Sequence, residues 1–534
     1  MAIVRSKSSV VIPEDEKSFP RFMLKKFEEY GNNTAIVDSK SNRSYTYRQL
    51  ISLIKKCGSG LLRAGLKPRE TIALILPNVP EYPIIVYGAT SVGVIVTTLN
   101  PSYTVDEFVY QLRDSEATHV VTIPQLSQKV KEAASKLNIK SLYTLGEADG
   151  FMSMSTLIFG DNGSLFQFYE PRNWREEVLY LPYSSGTTGH PKGVMLTHFN
   201  LIAHKYQISQ GGLTVIQTRV MLGLMPFFHS YGLGVMLGAG LFFGYNVVCI
   251  NGFEPASFLK AIQDYKISTL TIVPPIAVFL AKHPIVLKYD LKHVEAILCG
   301  AAPLGEDANM QLKRRFPKVK FIRQGYGMTE TSPSLMTQPP DKVKIGSVGM
   351  LLPNIEAKVI NLETGALLGP GQDGEICVRG PNIMKGYHNK RDATMTTIDQ
   401  DGWLHTGDIG HYDEDEHFFI VDRVKELIKY KGFQVPPAQI EDILLSHPQI
   451  TDAAVIGIPN EEAGELPKAF VVTKAKLTEQ DIIGFVSKKV APHKKLRGGV
   501  EFVESIPKNP SGKILRRQLR EQEKKKLKSL KHKL

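Results

Sequence analysis

Cysteine is scarce in this chain. Its 534 residues hold four, Cys57, Cys249, Cys299 and Cys377, far apart and with no CxxC pair. That argues against a zinc site or a disulfide framework and for a compartment that tolerates free thiols. Long apolar runs are missing too. No stretch reaches the roughly 20 apolar residues that a membrane helix needs. The nearest, 235–250, is short and interrupted by glycines and Asn246. The N-terminal residues lack an apolar core, so no secretory leader is expected. Gly and Pro follow no period, which excludes collagen-like and low-complexity classes. No zinc-finger spacing or other nucleic-acid module occurs. The net charge of +12 does not restore that possibility: from Lys513 to Leu534 there are ten Lys/Arg and two Glu, and the rest of the chain carries only +4. A basic tail of this kind reads as a solvated helix face.

What remains is an ordinary globular composition, 43% apolar and 22% charged, long enough for two to four domains. Five stretches, 178–183, 219–225, 267–273, 294–298 and 320–324, read as buried strands, each running into a polar or Gly-rich loop. Helical patterns at 196–210 and 306–316 lie among them. Strand and helix alternating predict an α/β layer architecture, with the site at the carboxyl ends of the strands and all five loops gathered there. After about residue 341, short β runs at 356–359 and 374–378 between Gly-rich turns predict a small β-barrel-like subdomain. Beyond it, helices 438–446 and 480–490, strands 453–458, 469–472 and 500–503, and the basic helix predict a compact α+β unit. The expected division is 1–422 and 423–534, with the joint between Val421 and Lys425.

The loop Ser184-Ser185-Gly186-Thr187-Thr188-Gly189-His190-Pro191-Lys192-Gly193 carries the first chemical signal. Small residues let backbone amides approach a phosphate, and hydroxyls add donors. It is not a Walker A loop, because Gly193 follows Lys192. An arbitrary loop of this composition is a surface turn; this one follows a buried strand and ends in Pro-Lys-Gly.

With six further motifs the chain resembles the adenylate-forming superfamily of acyl-CoA synthetases, 4-coumarate–CoA ligases, adenylation domains and beetle luciferases. The motifs YSSGTTGHPKG, PFFHSYG, GYGMTE, GEICVRGP, GWLHTGD, VDRVKELIKYKGFQ and PKNPSGK stand in the family's order across 183–513. The resemblance implies an ATP-, Mg²⁺- and coenzyme A-dependent acid–thiol ligase with a mobile C-terminal lid. In it a carboxylate and ATP give an acyl-adenylate, from which the thiol then displaces AMP. Two anions meet in the first step, so cationic and amide donors are needed.

By that resemblance Ser184, Ser185, Gly186, Thr187, Thr188 and Lys192 hold pyrophosphate, Glu330 holds Mg²⁺ as an oxygen ligand, and Thr329 meets the α-phosphate. Tyr326 stacks on adenine against Gly300, Ala301 and Ala302. Gln324, Gly325 and Gly327 lie along the adenylate, and Asp408 and Arg423 meet the ribose. Lys513 bridges carboxylate and α-phosphate, and His229 sits at the acid mouth. Lys425 is the hinge, Lys429 and Gln434 serve the thioester-forming state, and Lys431 and Gly432 contact coenzyme A. Taken alone, a TGD is a turn, a Lys in a basic tail is solvated, a His among aromatics is core, and a lysine-rich hairpin is a charged sheet edge.

The acid pocket is expected from Phe228, Tyr231, Leu298, Thr331 and Pro333 with their neighbours, mainly apolar. Coumarate ligases often carry a Lys where Leu298 stands, so a fatty or other apolar acid is expected. The resemblance leaves hydroxycinnamate ligation, carrier-protein loading and luciferase-like oxygenation open. Pro333, where luciferases have Ser, speaks against the last. The terminal His532-Lys533-Leu534 is similar to a peroxisomal address, with the cytosol as alternative. A monomer or weak homodimer is expected.

Overall fold

The computed structural model describes residues 3–184, 191–210, 218–302, 304–339, 342–431, 433–460, 462–510 and 512–531, with side chains of the last helix described as far as Lys526. Ser185, Gly186, Thr187, Thr188, Gly432 and the terminal tripeptide lie outside these residues. The architecture is α/β: a large N-terminal domain and a smaller C-terminal one.

Two nine-stranded sheets form the body of the large domain. In one, Thr71–Leu74, Ile95–Thr98, Ala117–Thr122 and Ser141–Thr144 run parallel. In the other, Thr34–Asp38, Asn246–Cys249, Val220–Gly223, Thr269–Ile272, Ala296–Cys299 and Phe321–Gly327 run parallel. These strands are short, rich in branched apolar residues and buried, as sheets covered on both faces require. Helix Tyr82–Ser91 is buried at every position, which is what an all-round apolar helix needs inside a layered core. Tyr87 and Tyr47 donate their hydroxyls to the carbonyls of Leu237 and Leu241, at 3.0 and 3.2 Å, tying these helices to a wide helical segment, Tyr231–Gly240.

The first loop departs from expectation. Residues 192–197 form a strand, Lys192–Thr197, and the helix begins only at His198. This strand pairs antiparallel with both Tyr183–Ser184 and Val178–Tyr180. The phosphate-type loop therefore joins antiparallel strands of the first sheet, whereas the other four loops leave parallel strands of the second. The five converge from two sheets and not from the end of one.

A third sheet is antiparallel, built from Ile3–Arg5, Glu356–Ile360, Gly374–Arg379, Leu404–Tyr412 and Phe418–Arg423. Its first strand comes from the start of the chain. Between Arg423 and Ile428 the chain enters the fourth sheet, which holds Ile428–Tyr430, Phe433–Val435, Gly464–Thr473, Ile450–Asn460 and Val500–Phe502. Helices Pro437–Leu445, Glu479–Ser487 and Arg516–Lys531 belong to this unit. It has apolar clusters of its own, centred on Ile440, Val455 and Val471 and on Ile456, Phe470 and Leu519. A buried ion pair fixes the last helix: Arg516 donates to both oxygens of Glu441, at 2.8 and 2.6 Å, and Glu441 accepts the Val455 amide at 2.7 Å.

The two domains touch. Lys282 donates to the carbonyl of Leu445 at 2.7 Å, and the Ala438 amide donates to Asp422 at 2.8 Å. Gly512, at φ +80°, lies so close to Val273 that a Cβ there would stand 2.9 Å from its Cγ2. Only glycine meets both demands at that position.

Candidate active site

The strand ends and the docked C-terminal domain enclose a cleft in two compartments. The first, about 760 Å³, is lined by Ser184, Lys192, His204, His229, Tyr231, Leu298, Gly300, Gln324, Thr329, Glu330, Pro333 and Lys425 among others. The second, about 870 Å³, includes Ala302, Asp408, Asp422 and Gln434. Ala301, Gly325, Tyr326, Gly327, Arg423 and Lys513 wall both. These residues come from the second sheet, the third sheet and the C-terminal domain, so the cleft is completed only by the docked arrangement.

Lys513 follows Gly512 in the tight turn against Val273. Burial, together with the charge of Arg423, brings its ammonium down to about 8 despite the opposing pull of Asp408. His229 lies within its electrostatic reach. Burial and Lys513 hold the imidazole at about 4, so it is neutral at physiological pH. Its Nδ1 accepts the Tyr231 amide at 3.2 Å. The ring proton is thus on Nε2, making His229 a neutral donor. The Tyr231 ring packs beside Gly300.

The strand Phe321–Gly327 supplies the wall between the compartments. Gln324 accepts the Leu304 amide at 2.7 Å and so holds the turn after Cys299. Within that turn Ala301 stands at φ +70°, a left-handed conformation that costs a non-glycine residue and recurs at functional sites. The Tyr326 hydroxyl donates to Asp408 at 2.6 Å, and Arg423 pairs with the other Asp408 oxygen at 3.2 Å. Each oxygen keeps acceptor capacity, so the carboxylate is held rigid yet still able to accept two further hydroxyls.

Thr329 donates to the Ser230 hydroxyl at 3.1 Å. Glu330 is buried and accepts the Tyr387 hydroxyl at 2.9 Å, while the Lys192 ammonium lies 4.8 Å from the Tyr387 ring centre. Across the cavity Lys425 is lowered by desolvation and by the charge of Lys192. Two cations and one buried carboxylate therefore face the same space, a surrounding that suits a polyanion with a hard divalent cation.

Other residues fall elsewhere. Phe228 does not line the cleft; its carbonyl accepts from Thr98 at 2.6 Å. Thr331 is fully buried, and its hydroxyl is engaged within the turn, accepting the Met328 amide at 3.0 Å and donating to the Pro333 carbonyl at 2.7 Å. It shapes the turn and does not line the cavity, which corrects its assignment to the acid pocket. Lys429 and Lys431 are exposed on the hairpin and line neither compartment, while Gln434 lines the outer one.

His204 was missed. It is buried on helix His198–Gln210, where a lone His in an apolar stretch reads as core, yet it lines the first compartment beside Ile208, Val235 and Ala239. Arg323 was missed as well; it lines the same compartment and is paired in register with Leu298.

Known proteins resemble this chain in sequence and in fold. Residues 24–388 match the family model described as AMP-binding enzyme, and 439–513 match that of the AMP-binding enzyme C-terminal domain. A 4-coumarate–CoA ligase of Petroselinum crispum is 41% identical, covering 97% of this chain and 96% of that one. A probable 4-coumarate–CoA ligase of Dictyostelium discoideum is 39% identical, covering 96% of each. Among solved structures, ATP-bound MatB from Rhodopseudomonas palustris superposes with a TM-score of 0.85 at 27% identity, covering 95% of this chain and 99% of that one.

Proposed function

The chain belongs to the AMP-binding enzyme family, and from that premise we propose that it joins a carboxylic acid to coenzyme A through an acyl-adenylate. The carboxylate oxygen attacks the α-phosphorus of ATP, and the bond to pyrophosphate breaks. The thiolate of coenzyme A then attacks the acyl carbonyl, and AMP leaves with the bonding electrons. The observation that carries this reading is the meeting of Lys513 with His229 in one cleft, beside Asp408, Tyr326 and Arg423.

Each residue has a task in that scheme. Lys513, charged below about pH 8, offsets the repulsion between carboxylate and α-phosphate. His229 donates Nε2–H to the carboxylate and orients it. Asp408 accepts the ribose hydroxyls, and Tyr326 presents its ring to the adenine. Lys192, Lys425 and the loop 184–193 take the departing pyrophosphate. Glu330 would hold Mg²⁺ with phosphate oxygens and water completing the shell, and the ion would neutralise phosphate charge. Lys429, Lys431, Gly432 and Gln434 would act once the C-terminal domain has rotated about Lys425, bringing the hairpin to the cleft in place of Lys513. The acid is an apolar-bodied aryl or alkyl acid, in keeping with Ile208, Val235, Ala239, Leu298 and Met336 along the cavity.

The test is thioester formation with ATP, Mg²⁺ and coenzyme A across alkanoates and cinnamates. Acid-dependent release of AMP together with thioester supports the reading. Release of pyrophosphate without thioester refutes coenzyme A as acceptor. A peroxisomal location belongs to the same proposal and is checked by imaging a fluorescent fusion with and without His532-Lys533-Leu534.

A further inference from the structure

Strands Gly374–Arg379 and Leu404–Tyr412 pair so that Cys377 stands opposite His405. Glu375, two residues before Cys377, lies on the same face of the sheet. The pairing shifts between Glu375 and Cys377, and in the bulge Gly407, at φ +68°, donates its amide to Glu375 at 3.1 Å. Three donor atoms meet as a result. His405 Nδ1 lies 2.9 Å from Glu375 Oε2 and 3.5 Å from Cys377 Sγ, and all three are within 4.8 Å of one another. Among the described residues no other three His, Cys or carboxylate side chains come together in this way. A missing CxxC does not reveal them, because they come from two strands and not from one loop.

A Glu–His pair alone is a common structural contact. The thiol sets this group apart. Cys377 is fully buried, while Glu375 and His405 are partly buried and line the first compartment. A thiol is a weak hydrogen-bond partner for an imidazole, but sulfur, imidazole nitrogen and carboxylate oxygen are the three donors with which proteins bind zinc. Tetrahedral zinc bonds place neighbouring donors about 3.3–3.6 Å apart. The Nδ1–Sγ separation already has that value, and the Nδ1–Oε2 separation has only to widen by a few tenths of an ångström. An ion would enter from the compartment, between Glu375 and His405, with Cys377 as the innermost ligand.

The surroundings fit a divalent cation. His405 Nε2 faces the Asp399 carboxylate at 3.6 Å, the outer partner that a metal-bound imidazole commonly has. Asp399 is itself fixed by the amides of Trp403 and Asp401, at 2.8 and 3.0 Å. Lys358 stands opposite Cys377 and 3.8 Å from Asp399, and Arg379 is paired with Glu356. Glu375, Asp399 and a Cys377 thiolate against Lys358 leave two negative charges for the ion to neutralise. The thiolate favours a borderline-soft ion over Mg²⁺, which keeps to oxygen ligands.

We propose that Glu375, Cys377 and His405 bind a thiophilic divalent cation of the zinc class, with a fourth position open toward the first compartment. On binding, the ion replaces the proton on Nδ1 and the proton of the thiol, and both pass to solvent. The proposal stands apart from the ligase reading and does not need turnover for its test.

The experiment titrates Co²⁺ into the reduced, chelator-stripped full chain and follows the thiolate-to-metal charge-transfer band in the near ultraviolet. Excess Mg²⁺ is present to occupy oxygen-only sites. In wild type the band should saturate at one ion per chain, and an equivalent of Zn²⁺ should bleach it. Cys377→Ser and His405→Gln should lose the band with the circular dichroism of the fold retained. Asp399→Asn should keep the band and weaken binding about 10–100-fold. If Cys377→Ser does not fold, Cys377→Ala carries the same comparison. No band in wild type, a band unchanged in the Cys377 variant, or Zn²⁺ that fails to displace Co²⁺ overturns the site.

Discussion

Replacing Lys513 with Met should make the protein more stable and less active at once. The side chain keeps its length and loses its charge. In the cleft the ammonium is depressed from 10.5 to about 8 by burial and Arg423, which amounts to about 3 kcal/mol of unfavourable charging. The sign follows from linkage. Below pH 8 the lysine is charged in the folded and the unfolded chain, so the penalty is fully present; it fades as pH rises from about 8 toward 10.5. Lys513→Met should therefore raise the free energy of unfolding at pH 7, by at most about 3 kcal/mol, and do little near pH 10.5. Adenylation needs that same charge between two anions. Loss of one such positioned donor typically costs about 10²–10³ in rate. The assay is acid-dependent exchange of labelled pyrophosphate into ATP, run beside thioester formation from supplied acyl-adenylate. Exchange should fall by that factor while thioester formation stays within about threefold. An equal fall in both, or a loss of stability at pH 7, would refute the reasoning.

Three further outcomes are expected. In wild type, kcat/KM for adenylation should decline above about pH 8 as Lys513 in the free enzyme loses its proton, and the decline should vanish in Lys513→Met. Gly512→Ala should slow pyrophosphate exchange roughly tenfold, since a side chain at φ +80° beside Val273 costs about 1–2 kcal/mol, with thioester formation from adenylate spared. Glu441→Gln breaks the buried ion pair that Arg516 makes with it, so urea unfolding should show a loss of about 3–5 kcal/mol; an unchanged midpoint would show that the pair is not needed for folding.

Much of this site is legible in the sequence because its chemistry is local. A loop of small residues and a Lys before Gly can be read without knowing which sheet bears them. Pairing is not local. The helix reads from 196 because Leu196 and Thr197 flow into the pattern of His198–Gln210; only the antiparallel partners Tyr183–Ser184 and Val178–Tyr180 make 192–197 a strand. Thr331 looks like a pocket residue beside Glu330, but its hydroxyl is consumed by Met328 and Pro333. His204 is hidden for the opposite reason. It follows the apolar run Leu201–Ala203 in the chain, and only the fold brings its helix to the cavity wall. The missing Lys at Leu298 pointed to an apolar pocket, and only the strand register places Arg323 beside it.

The third sheet has a consequence for synthesis. Strand Ile3–Arg5 pairs with residues 356–358, and Thr34–Asp38 pairs with Asn246–Cys249. At about 5–20 residues per second, the first strand waits roughly 20–70 s before its partner leaves the ribosome. Until then its backbone donors and the apolar face of Thr34–Asp38 stand open to other chains. Ribosomes spaced closely along one message would expose many such edges together. Yield of folded protein should therefore depend on how slowly translation is initiated, and on holdases that cover the nascent N-terminus, more than on the stability of the finished fold.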